Sequence, residues 1–186
     1  MKLRLVTDPP PEHAAPADFT EAMSAHAGGV VLVTCLLDGR PWGATVTAFA
    51  SVSADPPTVL VSLRTEGSAA RAIAATGSFG VSILVAEQRA VARHGGAARA
   101  AGFLDRLVER GAPDASPAVA GALAHLDCAL HEAITVAGRT VFFGRVRAAR
   151  ATPRGAPLLY HRREYRELAA ADTDHRTEWS TRWLGT

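Results

Sequence analysis

Between Trp42 and Pro57 the chain reads WGATVTAFASVSADPP, and this stretch holds the residues best suited to touching a flat ligand. Gly43, Ala44, Thr45, Thr47, Ala48 and Ser51 carry little bulk, so a planar molecule can approach the backbone and meet hydroxyls and amide N–H groups at its edge. An edge strand with a polar outer face has the same pattern, and the stretch alone leaves both readings open. His125, Asp127, Cys128 and His131 carry metal-ligating side chains, yet on one strand the two histidines stand ~20 Å apart at about 3.3 Å per residue. No shared ion is expected there. The arginines from Arg89 to Arg110 could form a docking face for an acidic partner, but charges on helices are more often simply solvated. No Gly-x-Gly-x-x-Gly follows a strand, so no Rossmann dinucleotide site is expected.

The elements that must position these residues are read from periodicity and turn chemistry. Residues 1–17 are Pro-rich and read as a flexible arm. Asp18 with Glu21 suggests a capping-box start to a helix that ends at Gly28-Gly29. Residues 30–37 are apolar and β-branched, Asp38-Gly39 is a hairpin signal, and the chain returns through residues 42–49. Asp55-Pro56-Pro57 redirects the chain into a buried strand at residues 58–63. A helix is expected from Ser68 to Thr76, stopped by Gly77, followed by a strand at residues 79–85. Residues 87–123 form an Ala- and Arg-rich helical insertion. Strands return at residues 126–133 and 139–149 with Gly138 at the turn, and the segment GAPLLYHRREYREL closes a body spanning residues 18–168. Residues 169–186 form a tail in which Trp179 and Trp183 need a surface to lie on. Strands in two blocks, without βαβ alternation, disfavour a parallel sheet and favour a small barrel with helical decorations.

With 186 residues, 48% of them hydrophobic and 20% charged, the chain is long enough for one cored domain. A formal charge of +2 is far from the basic stripe a nucleic acid requires. No run approaches the roughly 20 apolar residues of a membrane span, and the N-terminus lacks a signal-peptide core. A soluble, cytoplasmic protein is expected, with Cys35 and Cys128 as buried free thiols.

The ordered segments FTEAMSAHAGGVVLVTCLLDGRPWGATVTAFASVSADPPTVLVSL, IAATGSFGVSIL, ALAHLDC, TVFFGRV and APLLYHRREYREL closely resemble the flavin reductase family, over residues 19–168. The most specific parts are the Gly-x-Thr-x-x-x-Phe-x-Ser-Val-Ser run at residues 43–53, the Asp-Pro-Pro after it and the late Pro-Leu-Leu-Tyr. The resemblance implies a mainly β fold of the FMN-binding split-barrel type. It also implies a homodimer that passes hydride from NADH or NADPH to FAD or FMN, the reduced flavin serving a partner monooxygenase. A flavin-binding module without turnover, or a non-catalytic oxygenase partner, is the alternative.

Residue by residue, the resemblance assigns Thr45, Val46, Thr47, Ala48 and Ser51 to the flavin ring, with Thr47-Ala48 where relatives often carry Asn-Ser. Ser62, Leu63 and Arg64 lead towards the flavin. Ser68 at a helix start, aided by Arg71, would meet its phosphate. Phe103 is counted with the same flavin set. Arg139 stands where relatives often carry a histidine near the nicotinamide, and an arginine there can pair or stack but cannot shuttle a proton at neutral pH. Tyr160, His161, Arg162 and Arg163 complete the nicotinamide set. No catalytic acid, base or metal is expected, because hydride transfer needs ring stacking above all.

Overall fold

A computed structural model describes residues 13–96, 104, 107–109, 115–153 and 155–168. Phe103, Trp179 and Trp183 lie outside them, as do most of the N-terminal arm and the C-terminal tail. Among the described residues no helix is long and apolar enough to cross a membrane.

Helix α1 (Pro16–Ser24) leads into β1 (Gly28–Gly29), β2 (Val31–Leu37), β3 (Arg40–Val46), β4 (Phe49–Ala54) and β5 (Pro57–Arg64). Helix α2 (Ser68–Thr76) and β6 (Ser78–Ile83) follow, then a single 3₁₀ turn at Ala86–Gln88 and helix α3 (Arg89–Gly96). Two long strands, β7 (Ala124–Val136) and β8 (Arg139–Ala151), precede the small closing hairpin β9 (Leu158–His161) and β10 (Glu164–Glu167). The helix at Ser68 and the Asp38-Gly39 hairpin fall where the sequence predicts them. Asp38 and Gly39 both lie in the left-handed region (φ 52° and 69°), as a two-residue hairpin that matches strand twist requires. Helix α1 differs: it begins at Pro16, whose fixed φ suits the first turn, and has no side-chain cap because its N-cap residue is Ala15. Glu21 is thereby released from capping and reaches Arg163 at 3.0 Å.

Seven strands form one antiparallel sheet in the order β3-β2-β6-β7-β8-β5-β4, and β1-β9-β10 form a second. β3 and β4 stand at opposite ends of the large sheet, yet only Thr47 and Ala48 separate them in the chain. Val46 and Phe49 can be no more than ~11 Å apart, so the sheet must curl until its ends nearly meet. The result is a barrel that stays open along one seam. The expected single strand through residues 42–49 is therefore broken at 47–48: Phe49 N–H turns back to the Thr47 carbonyl (2.9 Å), and Ser62 N–H donates to the Ala48 carbonyl (3.0 Å).

Both faces of β2 are buried, which is why its sequence is apolar throughout rather than alternating. Val31, Val33 and Cys35 face the barrel interior with Val61, Leu63, Phe79, Val81, Cys128 and Phe142, and α2 plugs that interior with Ala69, Ala70, Ala72 and Ile73. Val30 and Leu32 face outward onto a second core with Leu84, Ala92, Leu104 and Leu158. Successive side chains on a strand point to opposite faces, so a single strand supplies both cores. Trp42 is half-buried and packs on the inner core, and both cysteines are free and buried.

A buried polar network fixes the end of the insertion to the sheet. Ser82 Oγ lies 3.0 Å from His125 Nδ1 and accepts the Val119 N–H at 3.1 Å. Asp127 accepts the Ser116 N–H and pairs with Arg147, each at 2.9 Å. Although burial works against the Asp127 carboxylate, these hydrogen bonds and the Arg147 charge hold its pKa below the usual carboxylate range. Burial first, and the Arg150 charge second, push the His125 imidazole below its ordinary pKa, against the opposing pull of Asp127 and the Ser116 backbone. The unfolded chain thus binds a proton at His125 more readily than the folded one, and this part of the stability is present above about pH 6.5 and lost as pH falls below it. The Asp127 contribution is lost only at lower pH, below about 4. The urea midpoint is expected to fall between pH 7 and pH 5, and His125→Gln is expected to flatten that slope; equal slopes in variant and wild type would contradict the assignment.

Candidate functional site

The open seam of the barrel is also where the largest share of the expected residues meets. Thr45, Val46, Thr47 and Ala48 line a cleft of about 380 Å³ together with Val30, Gly96, Arg139, Tyr160 and Tyr165, a size within the usual range for small-molecule sites. β3 is an edge strand here, hydrogen-bonded to β2 on one side only, so its other edge is free of sheet pairing. β1 crosses beside Thr47: a Cβ added at Gly28 would come within 3.0 Å of Thr47 Cβ. Only glycine lets that strand, and with it β9, lie so close. The Gly28-Gly29 pair does not end the helix as expected, since α1 stops at Ser24 and the glycines form β1. It seats Tyr160 opposite Gly28 in register, on the wall facing residues 45–48.

Tyr160 meets Tyr165 across the β9–β10 hairpin with ring centroids 5.3 Å apart and planes at 64°, an edge-to-face pair. Tyr160 remains 37% exposed, which leaves ring surface available to a ligand. On the barrel side, Thr45 Oγ1 is buried without a hydrogen-bond partner. A buried hydroxyl left unpaired is costly, and this one is covered by the end of α3, where Gly95 packs against it.

Arg139 stands at the rim. It opposes Arg64 in the β5–β8 register, and its guanidinium donates to the Ser62 carbonyl at 2.9 Å. Three hydroxyls hold the hairpin tip that carries it. Thr140 Oγ1 lies 2.9 Å from Thr65 Oγ1 and 3.1 Å from Thr135 Oγ1, and the Thr65 N–H donates to the Gly138 carbonyl at 3.0 Å. The sequence marks Gly138 as the turn but gives no sign of this hydroxyl chain, because Thr65 joins it from 75 residues away.

The remaining expected residues lie off the cleft. Leu63 is 2% exposed and packs in the inner core, so only its backbone could meet a ligand. Ser51 is on the exposed edge strand β4. Ser68 opens α2, whose first turn carries no acidic residue. Arg71 is drawn to Glu66, donating to its carbonyl at 2.8 Å and lying 3.9 Å from its carboxylate. Arg162 N–H donates to the Ser24 carbonyl at 2.8 Å, tying the hairpin turn to α1, while His161 is half-buried on β9. Arg163 lines a second cavity of about 460 Å³ with Arg89, Arg93, Tyr160, Glu164 and Tyr165. Val30, Gly96 and Tyr165 in the cleft, and Arg89 and Arg93 in the second cavity, were not among the residues expected for the site. Tyr165 carried a faint signal, since pairing opposite Tyr160 follows once the hairpin is known. Among the described residues no group of three His, Cys, Asp or Glu side chains could hold a metal ion.

Comparison with known proteins decides the family, since the family model described as flavin reductase like domain matches residues 23–169. The chain belongs to that family. It is 34% identical over 163 residues to an NADH-dependent flavin reductase from a Rhodococcus species, covering 86% of this chain and 90% of the relative. It is 33% identical over 150 residues to the reductase component of 4-hydroxyphenylacetate 3-monooxygenase from Thermus thermophilus, covering 81% and 95%. Among solved structures, the flavin reductase component of a bacterial two-component tryptophan halogenase superposes with a TM-score of 0.78 at 33% identity, covering 84% of this chain and all of that one. The open seven-stranded sheet fits the split-barrel fold that the sequence led us to expect.

The hydroxyl chain at the hairpin tip gives a direct structural prediction for this flavin reductase family member. Thr140→Val leaves the half-buried Thr65 hydroxyl short of a partner, while the exposed Thr135 hydroxyl turns to water, so unfolding stability measured in urea is expected to fall by about 1 kcal/mol. An unchanged midpoint would show that Thr65 finds another partner.

Proposed function

We propose that the chain is an NAD(P)H:flavin oxidoreductase that reduces FAD or FMN and supplies the reduced flavin to a partner flavin-dependent monooxygenase, working as a homodimer. The observation that carries this reading is the cleft at the barrel seam, where a backbone with small side chains faces an aromatic pair. The residues suit a flavin. Thr47 and Ala48 leave the backbone open to a flat ring, and the free edge of β3 faces away from its sheet partner. A flavin bound there supplies the hydride acceptor, and the nicotinamide is a transient substrate laid over it.

The protein's own part is positional. Tyr160 and the wall at residues 45–48 bring two flat rings into contact and exclude water, which is where an orientation-limited transfer gains its rate. No side chain in the cleft has to move a proton. Arg139, held by the Ser62 carbonyl, places a fixed positive charge at the rim for a phosphate of the nicotinamide dinucleotide. The flavin phosphate is assigned to the start of α2, where Ser68 and unpaired N–H groups follow directly from the β5 end at Arg64. Relatives named for NADH, such as the Rhodococcus protein, favour NADH as donor, and relatives named as reductase components support a separate monooxygenase.

Anaerobic addition of NADH or NADPH to the purified protein with FAD or FMN is expected to bleach the oxidised flavin's visible absorbance. Bound flavin that stays unbleached would make the chain a binding module, and absence of flavin binding would make it a non-catalytic partner. In steady-state assays Arg139→Ala is expected to raise KM for the nicotinamide by about ten- to a hundredfold, as loss of a charge-assisted contact of roughly 1.5–3 kcal/mol predicts, with flavin affinity near wild type. An unchanged nicotinamide KM with weakened flavin would move Arg139 to the flavin site.

A further inference from the structure

We infer that the arginine-lined cavity next to the cleft seats the phosphate-bearing adenosine half of a dinucleotide whose reactive ring lies at residues 45–48, with Arg93 as its specificity-determining cation. The inference rests on the flavin reductase reading of the cleft. The two cavities are neighbours that share Tyr160 and Tyr165, so a molecule longer than one ring system can run from one into the other past the tyrosine pair. The second cavity, about 460 Å³, brings three guanidiniums from Arg89, Arg93 and Arg163 around one carboxylate, Glu164. That carboxylate is itself held by Arg166. With Glu167 beside Arg89 and Glu21 beside Arg163, these four arginines face three carboxylates, an excess of one positive charge, and guanidinium groups match phosphate oxygens in forked geometry.

Local preferences run against this arrangement unless an anion uses it. Arg89 and Arg93 stand one helical turn apart, where like charges repel. The β9–β10 turn has Arg162 and Arg163 at φ 48° and 64°, in a conformation that Asn-Gly or Gly-Gly would adopt at lower cost. Backbone strain of this kind collects at functional positions. Arg163 lies 3.0 Å from Glu21 and Arg89 lies 3.8 Å from Glu167, with all four side chains well exposed. Such pairs contribute little and can be exchanged for a phosphate. Arg93 makes no ion pair among the described residues; its charge acts on Tyr165, the tyrosine shared by both cavities.

The adenosine phosphate can come from the nicotinamide donor or from FAD, and the experiment separates them. Dissociation constants for FMN and FAD and KM for NADH and NADPH are measured for the wild type, Arg93→Gln, Arg89→Gln and a charge control on β8 outside both cavities, Arg145→Gln. Arg93→Gln is expected to weaken one dinucleotide by about tenfold, with Arg89→Gln in the same direction, FMN affinity within about twofold of wild type, and the control unchanged. A raised nicotinamide KM with both flavins unaffected assigns the cavity to the donor. A weakened FAD with FMN and nicotinamide unaffected assigns it to the flavin's adenosine. If the Arg93 variant matches wild type in all four constants, or weakens FMN as much as FAD, the inference is overturned while the flavin reading stands. If the wild type binds no flavin and oxidises no nicotinamide, the flavin reading itself fails and takes the inference with it.

Discussion

Thr47 and Ala48 must connect strands at the two ends of a seven-stranded sheet, and most of the molecule's geometry follows from that short link. It forces the sheet to curl and holds its ends within reach of each other. It also leaves two residues out of the β-ladder at the point where the sheet stops short of closing. Backbone groups freed from the ladder need partners. The Thr47 and Ala48 carbonyls find them in Phe49 and Ser62, so the seam is tied to β5 without being closed.

What fills the seam comes from elsewhere in the chain. The second sheet is latched to the barrel by Val30 N–H donating to the Leu158 carbonyl, Leu158 N–H to the Leu84 carbonyl and Leu84 N–H to the Val30 carbonyl, at 2.9, 2.9 and 3.1 Å. This latch brings Tyr160 and Tyr165 over the seam. The β7–β8 hairpin brings Arg139 to its other side, fixed by the threonine hydroxyls. Barrel, closing hairpin and long hairpin thus meet at one cleft, and each contributes a different chemistry: open backbone, aromatic surface and positive charge. Because each wall is held by backbone hydrogen bonds or buried hydroxyls, the arrangement is set before any ligand arrives, as ring-to-ring transfer demands.

Much of this could be read in the sequence, and the parts that could not have physical reasons. Strong local signals gave the Asp38-Gly39 hairpin, the helix at Ser68–Thr76 and the buried thiols, since each depends on neighbours in the chain. The hydroxyl-rich stretch at residues 43–51 suited a ligand wall and an edge strand alike, and both occur: residues 45–48 line the cleft, while Ser51 lies on the exposed edge strand β4. The break at Thr47-Ala48 was invisible because a strand that changes partners keeps its β-forming composition on both sides. The β9–β10 hairpin was missed for the opposite reason: its turn is Arg162-Arg163, with no glycine or asparagine to mark it. The second cavity joins α3 to that hairpin, a long-range meeting that no spacing rule anticipates.

The central claim is that the flavin ring lies in the seam between residues 45–48 and Tyr160. Difference spectroscopy of flavin titrated into the wild type and into Ala48→Trp tests it most directly, with thermal unfolding as the control for folding. Ala48 is exposed, so an indole there occupies the cleft without disturbing either core. The account predicts a perturbed flavin spectrum with the wild type and its loss in the variant at an unchanged melting temperature. A folded variant that perturbs the flavin spectrum with wild-type affinity would contradict it.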